Sequence, residues 1–256
     1  MGHLNMNSRS VAKTGGGLAL GAGLAALGYA GLVAYHRDRD GTQTLDKNVH
    51  SRLLDRFIPA PEVIEHHQIR IAAPADLVLR TARNMELLNS PLVRSLIRVR
   101  ELALGGTPDD RQHPKALVPQ MQSIGWVVLA ECADREIALG AVTQPWDVAP
   151  VFRSISSGEY PAFREPGYVK IAWTLRVEAA GDAECVFHTE TRVATTDLET
   201  RKRFRAYWSF VAPGVELIRL AMLRPLKRAA EKAFSQTAKR GYQQIPASKV
   251  SCTSGP

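Results

Sequence analysis

His188 and Glu190 stand two residues apart in the run Phe187-His188-Thr189-Glu190-Thr191-Arg192-Val193. On an extended strand that spacing puts both side chains on one face, where an imidazole and a carboxylate can act as a general acid–base pair. Arg192 shares that face. The competing reading is therefore a solvent-exposed ladder of alternating charge, and we take this as the expectation for the face. A second group, Glu62-x-x-Glu65-His66-His67, offers metal-ligand side chains. Adjacent histidines on a strand point to opposite faces and cannot both chelate easily, so no metal is expected there. The cysteines are Cys132, Cys185 and Cys252, with no C-x-x-C spacing. This argues against a disulfide framework or structural zinc, and Cys132 and Cys185 read as small buried hydrophobes. No G-x-S-x-G, H-E-x-x-H, P-loop or strand-to-helix G-x-G-x-x-G occurs. The residue types name no reaction and no cofactor.

The elements that must position these groups are clearest around them. Lys170–Glu178 alternates strictly, with Ile171, Trp173, Leu175 and Val177 on one face. Cys185–Thr195 also alternates, with Phe187, Thr189, Thr191 and Val193 opposite His188, Glu190 and Arg192. Joined at Ala180-Gly181-Asp182, the two form a hairpin. Pairing Trp173 with Thr189 and Leu175 with Phe187 matches the apolar faces, whereas a one-residue slip would bury Glu190 and Arg192 beside Trp173. Earlier, Glu65–Ile71 reads as a first strand and Ala72–Asp76 as a turn into a helix carrying Leu77, Leu79 and Ala82. Met85–Ala103 has apolar residues at helical spacing (Leu88, Leu92, Leu96, Val99, Leu102), interrupted by Pro91. Residues 105–119 read as a loop. Ile124–Glu131 and Arg135–Val142 form a second hairpin, and Val151–Ile155 a short strand.

Two helical segments close the domain. Phe204, Tyr207, Trp208 and Val211 share a face of the first, and Ile218, Met222, Ala229 and Ala233 share a face of the second. Pro213-Gly214 is expected to interrupt them and Pro225 to kink the second. A strand, helices, an antiparallel meander and a long terminal helix make an α+β fold, with the helix on one side of a curved sheet.

The composition is that of a globular chain: 256 residues, 45% apolar and 23% charged. A wholly disordered, collagenous or polytopic membrane protein is excluded. The net charge of +8 is local. Residues 198–240 hold eleven bases and three acids, and the remainder is balanced. Arg224, Arg228 and Lys232 follow one another at i+4 on one helix face. A solvated basic face is the ordinary reading. An anionic membrane surface would offset the repulsion between like charges, at about 1 kcal/mol per base. Nucleic acid is not expected, because neither an aromatic-interleaved platform nor a helix-turn-helix is evident.

A membrane is suggested by residues 15–35, which carry no charge and would span roughly 31 Å as a helix. A single transmembrane anchor is the leading reading. A cleaved signal peptide ending near Gly28-Tyr29-Ala30 and a buried helix weakened by seven glycines are the alternatives. The bases after the run (Arg37, Arg39, Lys47, Arg52, Arg56) lean the domain toward the cytoplasm. The chain then divides into a tail (1–14), the anchor (15–35), a linker (36–61) with a short helix around Val49–Phe57, a domain (62–241) and a second tail (242–256).

Three local runs carry a family likeness: Ile69–Asp76 (first strand into helix), Thr189–Val193, and the final helix beginning near Leu198. In this layout residues 62–236 resemble the START-like, Bet v 1-like helix-grip family of polyketide cyclase/dehydrase and lipid transport proteins (SRPBCC). Arg135–Gly140, Pro145-Trp146 and Phe204–Trp208 look like a bacterial branch of it. The segment between the first two strands is longer than the family's, and the broken final helix is a second departure. The resemblance implies an apolar cavity between sheet and helix for a hydrophobic, lipid-like small molecule. Trp173, Thr189, Thr191, Phe204, Tyr207 and Trp208 would face it, and Trp126, Trp146, Phe163 and Tyr168 would line its mouth. Plain core packing is the competing reading for each of these residues. A cyclase- or dehydratase-type enzyme using the same cavity, or an interaction module with a filled core, are the alternatives for the whole.

Overall fold

The computed structural model describes residues 50–88, 90–107, 113–132 and 135–243, with side chains to 237. The expected anchor at 15–35 and most of both tails and the linker lie outside the described residues. No described helix is long and apolar enough to cross a membrane.

Five antiparallel strands form one sheet in the order β1-β5-β4-β3-β2. They are β1 (Val63–Ile71), β2 (Val127–Cys132), β3 (Glu136–Thr143), β4 (Val169–Gly181) and β5 (Glu184–Thr195). The faces follow the alternation of β4 and β5, but the register is shifted by two residues from the expected one. Trp173 pairs with Thr191, Leu175 with Thr189 and Val177 with Phe187. A shift of two leaves every side chain on its own face, so face matching alone cannot detect it. The irregularity at Ala179/Gly181 next to the turn sets the offset. In β3, Gly140 leaves room for Leu129, whose side-chain carbons lie 2.6–2.8 Å from where a Cβ would stand. Residues 151–155 add no strand; Phe152 makes one isolated bridge to Thr143.

Helices α2 (Ala75–Asn84), α3 (Pro91–Ala103) and α4 (Leu117–Ser123) lie between β1 and β2. Pro91 starts α3 instead of interrupting it, because a first-turn proline has no N–H to lose. α4 begins inside the stretch expected to be loop and runs four residues past it. The terminal helix α5 runs unbroken from Leu198 to Gln243, with Pro213 and Pro225 inside it. The expected break is absent. Asp197 starts this helix, accepting from the Thr200 N–H at 2.8 Å and from the Gly167 N–H at 2.7 Å. The Thr200 hydroxyl, which also donates to it at 2.5 Å, and these backbone bonds hold its carboxyl well below the usual range. The main core lies between the inner sheet face and the helices and includes Leu79, Leu139, Trp173, Phe187, Met222 and Leu226. A strand-helix-helix insertion, a meander and a long helix across the sheet constitute the helix-grip arrangement.

The outer face of the sheet is covered. The short helix α1 (Arg52–Asp55) and the turn after it place Leu54, Phe57 and Ile58 against Ala138, Val142 and Ala172, with Tyr160 closing the cluster. His188, Glu190 and Arg192 do lie on this outer face, yet they are only 6%, 2% and 1% exposed. The expectation of a solvent-exposed ladder is therefore corrected: residues 50–58, read as linker, pack over it. Cys185 is buried as expected, whereas Cys132 is exposed.

Candidate functional site

Beneath α5, the inner face carries polar groups in an otherwise apolar core. Arg219 projects from α5 on the same side as Met222, Leu223, Leu226 and Ala230, all buried. Its Nη2 donates to Thr191 Oγ1 at 2.6 Å, and its guanidinium carbon lies 4.4 Å from the Trp173 ring centroid. Burial lowers its pKa to about 10, opposed by the charge of Glu65, so the guanidinium is cationic at neutral pH. Trp173 Nε1 donates in turn to Thr189 Oγ1 at 2.7 Å. The Trp126 ring meets Trp173 edge-on at 6.2 Å. On β1, Glu65 stands beside Thr191 and His67 beside Thr189. His67 Nε2 lies 3.8 Å from Glu65 Oε2.

The structure thus brings Trp126, Trp173, Thr189 and Thr191 together around a cation that the sequence reading had assigned to the basic segment. The spacing of Arg219 from Met222, Leu223 and Leu226 was the available signal, since these positions share one helix face. Four further candidates form a separate group toward the start of α5. Phe204 and Trp208 stack at 5.6 Å in a cluster with Val193, while Trp146 lies under Arg203 at 4.9 Å. Tyr207 accepts from Arg100 Nε at 3.0 Å, and Arg100 also holds the carbonyls of Pro145 and Asp147. Phe163 and Tyr168 do not join either group. They meet edge-on at 5.6 Å on the outer face, because Tyr168 precedes Val169 in the alternation of β4 and points the other way. Their expected place at a cavity mouth is corrected.

Two recesses open on the helical side. One of about 370 Å³ lies between α2 and α4, lined by Asp76, Leu79, Arg80, Arg83 and Pro119 among others. One of about 380 Å³ lies along α3, lined by Pro91, Arg94, Ser95 and Arg98. None of the ten candidate side chains lines either recess. Trp173, Phe204, Thr189 and Thr191 are packed and buried. Arg224, Arg228 and Lys232 are exposed on α5, as their spacing implied.

The outer face holds a second polar network. Glu190 accepts from the Ser51 N–H at 2.8 Å and from Arg192 Nε at 2.6 Å, and lies 3.2 Å from His50 Nδ1. Arg192 also reaches Asp55 at 2.6 Å and the carbonyls of Ser51 and Ile58. Ser51 Oγ donates to Glu136 at 2.5 Å, and Thr174 donates to the same oxygen at 2.8 Å. His188 Nδ1 lies 3.3 Å from His66 Nε2. Burial, then Arg176 and His66, depress the His188 pKa to about 4; burial also lowers that of His66. With its carboxylate occupied and its face covered, the His188/Glu190 pair has no place for a substrate. Among the described residues no group of three or more His, Cys, Asp or Glu is arranged to hold a metal ion.

No protein-family model matches the chain, and no curated protein matches its sequence. Similar solved structures include norcoclaurine synthase of Thalictrum flavum in complex with dopamine and hydroxybenzaldehyde. It is 12% identical, covers 76% of this chain and 98% of its own, and has a TM-score of 0.32. The ZhuI aromatase/cyclase of Streptomyces sp. R1128 is 13% identical over 66% of this chain and 94% of its own, with a TM-score of 0.26. The di-domain aromatase/cyclase BexL is 13% identical over 69% of this chain and 47% of its own, with a TM-score of 0.27. At such scores the helix-grip assignment rests on the element order and sheet pairing described above, and no ligand or reaction is transferred.

Proposed function

We propose that this domain binds a hydrophobic, lipid-like small molecule with a polar end between the sheet and α5. The observation that carries the reading is Arg219, a cation buried against Trp173 and Thr191 in an apolar interior. Desolvating a guanidinium is costly, and a buried ion is weak support for a fold. A recognition role for the polar end of a ligand accounts for its retention, and the aromatic walls suit the apolar part. The packed interior requires that α5 or the helical insertion yield to admit the molecule.

Native mass spectrometry of the full chain after incubation with extracted lipids tests this, with a bound species of lipid mass expected. Arg219→Met separates recognition from stability. Because Glu65 offsets the buried charge, the variant is made together with Glu65→Gln, so that no counter-ion is left behind and stability is kept. The bound species should disappear while the melting temperature holds. Persistence of the species in the variant would count against Arg219 as the recognition group.

Glu65 and His67, on the inner face beside this cluster, favour a second reading: a cyclase- or dehydratase-type enzyme in the same interior, with these two as its acid–base pair. Turnover abolished by His67→Gln, with ligand binding intact, distinguishes it from a carrier. We further propose that residues 15–35 tether the domain to a membrane, with Arg224, Arg228 and Lys232 free to face anionic headgroups.

A further inference from the structure

Amphipathic helices of a globular domain ordinarily turn their apolar stripe inward. α3 does so with Val93 and Ile97, which pack into the main core, but it also carries a second apolar stripe that faces outward. Leu92, Val99 and Leu102, at i, i+7 and i+10, share one face, and their exposures are 45%, 59% and 62%. Of its thirteen residues only Val93 is buried. The helix meets the body through Val93 and Ile97 in the main core, with Leu96 near Gly214 of α5 and Arg100 gripping Tyr207 and the 145–147 carbonyls. Arg98 borders the stripe and Arg94 lies beyond it on the same side; with Pro91 and Ser95 they line the recess of about 380 Å³. The sole acid of the helix, Glu101, stands three positions after Arg98 and seven after Arg94, on the arginine edge and away from Val99.

Three large apolar side chains beside two arginines form the pattern of a helix lying in a membrane interface. A protein partner would be met as well by the leucines alone. The arginines and the recess between them add complementarity to phosphate, which selects an anionic lipid surface. We propose that α3 is the surface by which the domain docks on an anionic bilayer, with Leu92, Val99 and Leu102 entering the interfacial layer and Arg94 and Arg98 meeting lipid phosphates. This site is independent of the Arg219 interior and of the apolar run at 15–35.

The test uses the full chain with Cys132 and Cys252 replaced by serine and an environment-sensitive fluorophore on Val99→Cys. The comparison probe is on Asp182→Cys, at the β4–β5 turn. Vesicles of phosphatidylcholine, with and without phosphatidylserine, are added to each. The expected result is a blue shift at position 99 with anionic vesicles, a much smaller one with neutral vesicles, and none at position 182. Arg94→Glu with Arg98→Glu should raise the lipid concentration needed for half the shift by at least twentyfold, since each base near such a surface is worth about fivefold. Leu102→Glu should raise it about tenfold. Unchanged circular dichroism and melting temperature in these variants establish that they fold. An unshifted probe on vesicles that bind the chain shows attachment through residues 15–35 alone and overturns the proposal. So does an equal shift on both vesicle types, or a shift that depends on protein concentration without lipid, which marks a second copy as the occupant.

Discussion

Glu190 and Arg192 join the N-terminal segment to the sheet, and the energetics of that junction are those of a buried ion pair. Removing one partner leaves the other charge desolvated, at a cost of about 3–5 kcal/mol. Glu190→Ala is expected to lower stability by that amount, and denaturant titration will measure it. The neighbouring His188 makes stability depend on pH. Its folded pKa of about 4 lies below the value of 6.5 usual for an exposed histidine. The unfolded chain therefore binds the proton more readily between these values, and stability falls as pH drops from about 6.5 toward 4. The contribution is at most about 3 kcal/mol, with His66 acting in the same direction. Urea midpoints at pH 7 and pH 4.5 check this, and His188→Asn should flatten the slope. The alternation in 185–195 placed His188, Glu190 and Arg192 on the correct face. It gave no sign of Ser51 and Leu54, some 130 positions away in sequence, which cover that face.

At the scale of the elements, periodicity located helices and strands well and their surroundings poorly. The apolar spacing of Leu92, Val99 and Leu102 did identify a helix. A stripe defines a face, but what lies over it is decided by other parts of the chain, and here the stripe is exposed. The two prolines in α5 misled the reading in the opposite direction. A proline inside a helix removes one hydrogen bond and crowds the preceding turn, at about 3 kcal/mol. Packing along 46 residues outweighs that cost. Pro225 is exposed, so Pro225→Ala should restore the bond without opening a cavity and raise stability by about 1–3 kcal/mol, read as a higher melting temperature. An unchanged or lower melting temperature would mean that the fixed backbone of Pro225 is itself needed at this turn of α5.

In the whole molecule, one sheet is buried on both faces by different parts of the chain. The layout was legible because the order of the elements constrains the topology. The composition of the interior was less so. Trp173, Thr189 and Thr191 followed from alternation, whereas Arg219 was hidden in a segment whose charge invited a surface reading. Phe163 and Tyr168 looked like cavity aromatics and belong to the outer cluster. The covering of the outer face also has a mechanical consequence. Residues 50–58 grip β5 and β3 through Glu190, Arg192 and Glu136, and meet the edge strand β1, which follows them in the chain, through the edge-on contact of His50 with His66 at 5.8 Å. If residues 15–35 are held in a bilayer, tension on the fourteen residues from 36 to 49 is delivered to Ser51 and shared among these ionic bonds at the centre of the sheet. A pull that would otherwise begin at β1 meets this ionic clamp first.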